Sequence, residues 1–290
     1  MKTWLRKVLT QKQRQEARRI LYAFDQFIDK TGTAFLNVWP ASWRVYAKSR
    51  LSIRRTMDYV HDKIVLDVSS PFEYSVRTRS CSKEPETVHW IEDLFQKDDV
   101  LFDVGANVGA YALVAAKYHK GRVRVYAFEP SFLNFSQLCR NITLNDCHGT
   151  ITAFNVALSG KTGLGTFNYH NLTTGGAMHT LGDPVDYTKE TFVPVCQQTV
   201  LTYTMDDFIA QFGIPMPQHI KLDVDGIEYQ ILQGAPKIFS DPRLKSVFVE
   251  MLDSDQPMMD HFLSKGFKVH KRFPMSIPGV NVANYIFSRS

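Results

Sequence analysis

From residue 99 onward, short apolar runs alternate with amphipathic stretches, and this alternation constrains the fold more than any other feature of the chain. Runs of strand length fall at 100–104, 123–128, 151–157, 219–224, 245–251, 267–271 and 283–288. Helix-period patterns fall between them at 108–118, 131–145, 204–212, 227–239 and 256–265. Strands that are apolar throughout, separated by helices, need a parallel sheet covered on both faces. The expected fold is therefore α/β, a mostly parallel sheet with helices on both sides. A short Pro/Gly-containing connection joins the last two strands, which suits an antiparallel edge pair.

Residues 159–203 break the rhythm. They hold "GKTGLGTF" and "TTGGAMHTLGDP", with a strand expected at 192–199, and read as an insertion of about 45 residues, a length that tends to carry function in compact domains. Ahead of the alternation, residues 85–96 have helix period and 64–79 read as a hairpin turning near "SSP". Residues 2–58 read as helical: Ile20, Leu21, Phe24, Phe27 and Ile28 share one face, Gly32 suits a stop, and a second helix follows Pro40. The expected organisation is a basic helical extension at 1–58 and one domain at 59–290, with its core motifs at 87–250.

Charge separates the two parts. Of the net +5, residues 1–55 carry 13 Lys/Arg against 3 Asp/Glu, so the remaining 235 residues are net negative. That distribution argues against nucleic-acid binding by the body of the protein. The basic segment with Trp4, Trp39 and Trp43 suits packing as a substrate lid or homodimer contact, or peripheral contact with an anionic membrane surface. No apolar run approaches the roughly 18 residues that span a bilayer, and the N-terminus shows no signal-peptide h-region. Four cysteines without a C-x-x-C pair suit a reducing compartment and no metal site. A cytoplasmic location is the expectation.

The first strand runs into "DVGANVG", a strand-to-helix turn of the kind that receives nucleotide-like cofactors. Three signatures can be tested against it. A P-loop requires a glycine five residues before Gly160-Lys161-Thr162, and position 155 is Asn. The dinucleotide fingerprint requires G-x-G-x-x-G, but Gly105 and Gly109 are separated by three residues and position 107 is Asn. This disfavours an NAD-dependent oxidoreductase. The third reading keeps every residue: Asp103 ends the first strand, and Glu129 ends the second, where an acid accepts hydrogen bonds from ribose hydroxyls. Two carboxylates repel a pyrophosphate but suit a ligand with a ribose, an ammonium and a positive sulfur. S-adenosyl-L-methionine has all three.

"FDVGANVGAYALVAA", "VYAFEPSFLNFSQLCRNITLN" and "IKLDVDGIEYQILQGA", in that order and spacing, resemble the FkbM-type methyltransferases. The resemblance covers about residues 87–250. It implies a class I methyltransferase fold, with a seven-stranded, mostly parallel Rossmann-like sheet, S-adenosylmethionine as methyl donor, and a hydroxyl acceptor on a sugar, glycan or polyketide-type natural product. One departure stands out: the family's third motif commonly reads D-V-E-G, and here Asp223-Val224-Asp225-Gly226 carries a side chain one methylene shorter.

The candidate cofactor residues are Asp103, Gly105, Asn107, Gly109, Glu129 and Asp223, with Asn155 toward the adenine edge. Asp223, Asp225 and Glu228 sit at or just past the carboxyl end of the fourth strand, the edge where open α/β sheets bind ligands, and are candidates to take the acceptor proton or orient its hydroxyl. Helix N-terminal charge compensation is the simpler role for Glu228, and capping for Asp225. Glu250 faces the same edge, and His179 and His170 are weaker loop candidates. The expected function is S-adenosylmethionine-dependent O-methylation. A non-catalytic scaffold that keeps the cofactor site is the competing reading.

Overall fold

In a computed structural model of the chain, the described residues are 32, 37–185, 191–275 and 281–289. The chain divides into two compact units, 1–52 and 53–290. In the first, helix α1 (Ala41–Arg50) follows Pro40 as the sequence suggests, and the rings of Trp39 and Trp43 meet edge-on at 6.5 Å. Gly32, expected to stop a helix, is itself helical. The apolar face at residues 20–28 lies outside the described residues.

The second unit starts with a strand, not a helix. β1 (Ile53–Thr56) pairs antiparallel with β2 (Val65–Val68), so the hairpin spans 53–68 and residues 53–58 join the larger unit. The expected second arm is instead helix α2 (Pro71–Ser75). Ser70 caps it by accepting from Glu73 N–H, while the Glu73 carboxylate takes the Ser70 N–H, a capping box that outweighs the β-branched and aromatic content nearby. Short α3 (Ser80–Lys83) and α4 (Pro85–Leu94) follow.

The core then runs β3 (Val100–Val104), α5 (Ala110–Tyr118), β4 (Arg124–Phe128), α6 (Phe132–Leu144) and β5 (Ile151–Phe154). Next come β6 (Ala157–Leu158), β7 (Gly163–Tyr169), β8 (Thr180–Leu181) and β9 (Cys196–Tyr203), then α7 (Met205–Phe212) and β10 (His219–Leu222). The chain closes with α8 (Glu228–Gln233), α9 (Pro236–Ser240), β11 (Ser246–Leu252), α10 (Gln256–Ser264), β12 (Lys268–Pro274) and β13 (Val282–Ser288). Seven strands form one sheet in the order β12-β13-β11-β10-β3-β4-β5. All its pairings are parallel except those of β13, which lies antiparallel between β11 and β12. This is the seven-stranded class I arrangement that the motifs imply.

Three expected elements differ. The run 151–157 breaks at Asn155, and β6 crosses into a second sheet. The helix at 227–239 splits: Pro236 has no N–H to continue α8 and opens α9 at its N1 position, and Gly234 lies so close to Ser159 that a Cβ would meet the Ser159 carbonyl oxygen at 2.8 Å. Residues 159–203 are no mere insertion. They carry β7, hidden from periodicity by its two glycines, and β9, shifted C-terminally from 192–199; with β6 and β8 these form a four-stranded sheet.

Strand alternation divides the core between the two faces of the large sheet. Val100, Phe102 and Val104 pack with Ile220 and Leu222 under α7–α10. Leu101 points the other way, against Trp90 of α4 and Ala112 and Val114 of α5. On that second face the register pairs Asp103 with Lys221. Two charged side chains therefore meet inside an apolar layer, at the strand ends that lead into the site.

Candidate active site

The loops after β3, β4 and β10 converge at the carboxyl edge of the sheet. Gly105 has φ +82°, and a Cβ there would sit 1.9 Å from the Asp223 carbonyl oxygen. Only glycine permits this approach. Its N–H and that of Ala106 both donate to the Phe128 carbonyl at 3.0 Å, so the loops after β3 and β4 are joined as well. Gly109 (φ +86°) is needed for packing, because a Cβ would meet Leu138 Cδ1 at 2.5 Å. It does not line the cleft.

The cleft between these loops is lined by Gly105, Asn107, Glu129, Asp223 and Asp225, with Phe128, Leu158 and Phe167 among its apolar walls. Glu129 is 5% exposed; its Oε2 accepts from Asn107 N–H at 2.7 Å and its Oε1 from Ser131 N–H at 2.9 Å. Burial pushes its carboxyl up to about 7, against the pull of those two N–H groups. Asn107 (φ +51°) turns its amide nitrogen to the Gly176 carbonyl, while its buried Oδ1 has no partner among the described residues. Loop 173–178 thereby forms one wall. It is also held by Asn134, through Gly175 N–H and the Gly176 carbonyl, and by Arg77 on the Gly175 carbonyl.

Beneath the cleft lies a charged set. Asp103 is 1% exposed, and neither carboxylate oxygen has a hydrogen bond among the described residues. Burial lifts its carboxyl to about 6, although Lys221 pulls the other way. The Lys221 ammonium is itself buried, donates to Asp223 Oδ2 at 2.6 Å and lies 5.3 Å from the centre of the Tyr111 ring. Burial works against its charge, but Asp223 and Asp103 outweigh that and raise its pKa. Asp223 faces burial too, yet Lys221 holds its carboxyl below the ordinary value. The cleft is thus offered an ionised carboxylate.

Asp225 sits at φ +58°, and its Oδ2 accepts from Met178 N–H at 2.7 Å. Burial, then the neighbouring Asp223 charge, raises its carboxyl to about 6. It also borders a second, larger and open cavity of about 590 Å³, which shares Leu181, Asp225 and Ile227 with the first cleft and includes Glu228 and Glu250 in its lining. Glu228 spends its carboxylate on its own loop, accepting from Val224 N–H and Gly226 N–H, so its observed contacts are those of a loop brace. Burial raises Glu228 to about 7 and Glu250 to about 8.

Of the residues singled out in the sequence, Gly105, Asn107, Glu129, Asp223, Asp225 and His179 share the first cleft. Asn155 does not. Its amide donates to the Glu129 and Pro130 carbonyls at 2.8 and 3.0 Å, because β5 ends one residue earlier and leaves it to tie down the end of β4. His179 is 6% exposed, and its Nδ1 takes the His170 N–H at 3.3 Å. In that tautomer Nε2 carries the proton, so the ring presents a donor to the cleft. Burial lowers its pKa to about 4. Lys221 escaped the sequence reading, although a lysine inside the apolar run "HIKLDV" already demands a buried counter-charge. Asn134 and Gly176 left no comparable sign, since the loop that uses them arrives from a distant part of the chain.

Residues 103–269 match the sequence profile of the methyltransferase FkbM domain. The chain belongs to the FkbM methyltransferase family. Within curated proteins it is 26% identical over 166 residues to the hexuronic acid methyltransferase AglP of Haloferax volcanii, covering 54% of this chain and 59% of that protein. It is 30% identical over 177 residues to the 31-O-demethyl-FK506 methyltransferase FkbM of Streptomyces tacrolimicus, covering 54% and 66%. The chain thus spans less than two thirds of the length of either relative. Among solved structures it is similar to a precorrin-6y C5,15-methyltransferase from Geobacter metallireducens (12% identity, TM-score 0.43, covering 72% of this chain and 88% of that one). It is also similar to M. jannaschii TYW2 in complex with AdoMet (14% identity, TM-score 0.42, covering 78% and 83%).

Proposed function

We propose that this family member is an S-adenosylmethionine-dependent O-methyltransferase acting on a hydroxyl of a sugar or natural-product acceptor. The observation that carries the reading is the pair of spaces meeting at Asp225, a narrow cleft at the strand ends and a larger open cavity beyond it. The relatives named for a hexuronic acid and for a demethylated natural product support the acceptor class.

The first cleft fits the proposed cofactor. Its carboxylates Glu129, Asp223 and Asp225 are hostile to a pyrophosphate and favourable to a cationic ligand, and its apolar walls suit a base. Glu129 would hold the ribose hydroxyls, and the ionised Asp223 would face the positive end of the ligand. When bound, the cofactor supplies a methyl group already activated on a sulfonium. No covalent intermediate on the protein is then needed, and the protein's tasks are positioning and proton removal. Asp225 is assigned the proton: its Oδ2 is anchored by Met178 N–H, its Oδ1 has no partner among the described residues, and its carboxyl at about 6 is matched to neutral pH. His179, with a proton on Nε2, is assigned a hydrogen bond to the ligand rather than the role of base.

Calorimetric titration of the wild-type protein and Glu129→Ala with S-adenosylmethionine, S-adenosylhomocysteine and NAD tests the reading. Expected is binding of the first two only, weakened by roughly tenfold or more in the variant, as for loss of a charged hydrogen-bond acceptor. A folded wild-type protein that binds neither overturns it.

A further inference from the structure

Helix α1 buries none of its ten residues. Trp43 is 65% exposed and Tyr46 64%, and Val38 and Leu51 at either end of the helix are each 77% exposed. Trp43, Tyr46, Ala47 and Arg50 follow at i, i+3, i+4 and i+7, which puts them on one side of the helix. The Arg50 guanidinium lies 5.4 Å from the centre of the Tyr46 ring, so a cation and an aromatic already share that side. Arg44 and Lys48, one turn apart, add two more charges. Arg44 donates to the Asn37 side chain, and none of the three cations has a carboxylate partner among the described residues. The sequence around the helix offers none nearby: residues 30–57 hold six Lys/Arg and no Asp or Glu.

An exposed tryptophan and tyrosine on one side of a helix, flanked by cations, are the groups that settle where lipid headgroups meet acyl chains. The exposed Val38 and Leu51 add aliphatic surface, which gains from that boundary and gains nothing from a phosphate backbone; this separates a lipid surface from a nucleic acid. Charge points the same way. Residues 1–55 are net positive and the remaining 235 net negative, so an anionic surface attracts the N-terminal segment and repels the rest of the chain. Ten helical residues extend about 15 Å, enough to lie on a bilayer and too short to cross it. We propose that α1 is a peripheral membrane anchor that docks on an anionic phospholipid surface. Trp43 and Tyr46 enter the headgroup layer, and Arg44, Lys48 and Arg50 pair with the lipid anions. The anchor is independent of the reaction that the larger unit carries out.

The test is flotation of the full chain with two kinds of vesicle, phosphatidylcholine alone and phosphatidylcholine with about one third phosphatidylserine, at low and high salt. Expected is binding to the anionic vesicles that is roughly tenfold or more tighter than to the neutral ones and that weakens as salt rises. Trp43→Ala combined with Tyr46→Ala leaves every charge in place and weakens binding several-fold. Arg44→Glu combined with Lys48→Glu weakens it at least as much. Because α1 buries nothing, both variants keep the thermal midpoint of the wild-type protein, and the comparison of vesicles needs no variant. Equal binding to the two kinds of vesicle overturns the proposal. So does an aromatic double variant that binds as the wild type does, since the attraction then belongs to basic charge alone. Absence of binding to the anionic vesicles overturns it too, and mixed-sequence RNA binding that depends on Trp43 and Tyr46 would then assign the surface to nucleic acid.

Discussion

Lys221 Nζ lies 2.6 Å from Asp223 Oδ2, and the lysine is buried while the aspartate side chain is 38% exposed. One buried cation therefore holds a carboxylate that faces the cleft and at the same time offsets the unbonded Asp103 beside it in register. Replacing it leaves two carboxylates uncompensated. Lys221→Met is expected to lose about 2–3 kcal/mol of stability at pH 7.5, less than a fully buried pair because Asp223 is part-exposed. Part of that loss returns near pH 5, where Asp103 takes up a proton. Denaturant titrations at the two pH values check this; an equal loss at both contradicts it.

The contact between Gly105 and the Asp223 carbonyl allows no side chain. Gly105→Ala combines an impossible approach at 1.9 Å with a left-handed backbone at φ +82°. The loss should exceed about 3 kcal/mol, through backbone displacement as well as strain. Gly182→Ala is the control. Its φ is +89°, but nothing lies within 4 Å of the added Cβ, so only the conformational cost of about 1–2 kcal/mol applies. Thermal melts of the pair compare crowding with strain, and similar losses in both would show that the loop contact is softer than its geometry indicates.

Asp225→Asn separates chemistry from architecture. Asn tolerates the left-handed backbone that Asp225 adopts at φ +58°, so folding should change little, and cofactor affinity should fall only several-fold because Glu129 and Asp223 remain. Methyl transfer should fall about 10²–10⁴-fold, the usual worth of a positioned base. Single-turnover transfer alongside calorimetric binding reads both quantities. Retained transfer would remove Asp225 from the role of base.

Stability should fall as the solution becomes alkaline. Burial raises Asp103 and Asp225 to about 6 from 3.8, Glu129 and Glu228 to about 7 from 4.5, and Glu250 to about 8. Between the unfolded and folded values the native state binds more protons than the unfolded chain, so rising pH favours unfolding until the folded values are passed. Asp99 acts oppositely. Burial opposes its charge, but His219 and Lys245 hold it at about 2, so its contribution is present above 3.8 and lost as pH falls toward 2. His179, His219 and His261, lowered by burial, also favour unfolding as pH falls below 6.5, but the five raised acids outnumber them, so guanidinium midpoints of the ligand-free protein should decline from about pH 5 toward pH 8, and Glu250→Gln should flatten the decline.

The parts of the site that were legible in the sequence stand at strand ends. Glu129 after β4 and Asp223 after β10 could be placed because strand period and turn chemistry are local, and both reach the cleft. Asp103 was placed at the same strand end, yet it sits beneath the cleft beside Lys221, on the face that alternation assigns it. Asn155 also stands near a strand end, but outside the cleft lining, and no strand period encodes that its amide is taken up by the Glu129 and Pro130 carbonyls.

The sequence by itself determined the alternation of strands and helices, the residues at the carboxyl edge, and the family to which the motifs belong. Each of these follows from interactions among near neighbours in the chain: hydrophobic period, glycine turns, capping. Tertiary structure alone decided that β7 and β9 fold into a second sheet. It also decided that loop 173–178 walls the cleft through Asn107, Asn134 and Arg77, and that five acids from separate segments face one cavity. Those contacts join residues tens of positions apart, and no local pattern encodes a partner that packing brings in from so far along the chain.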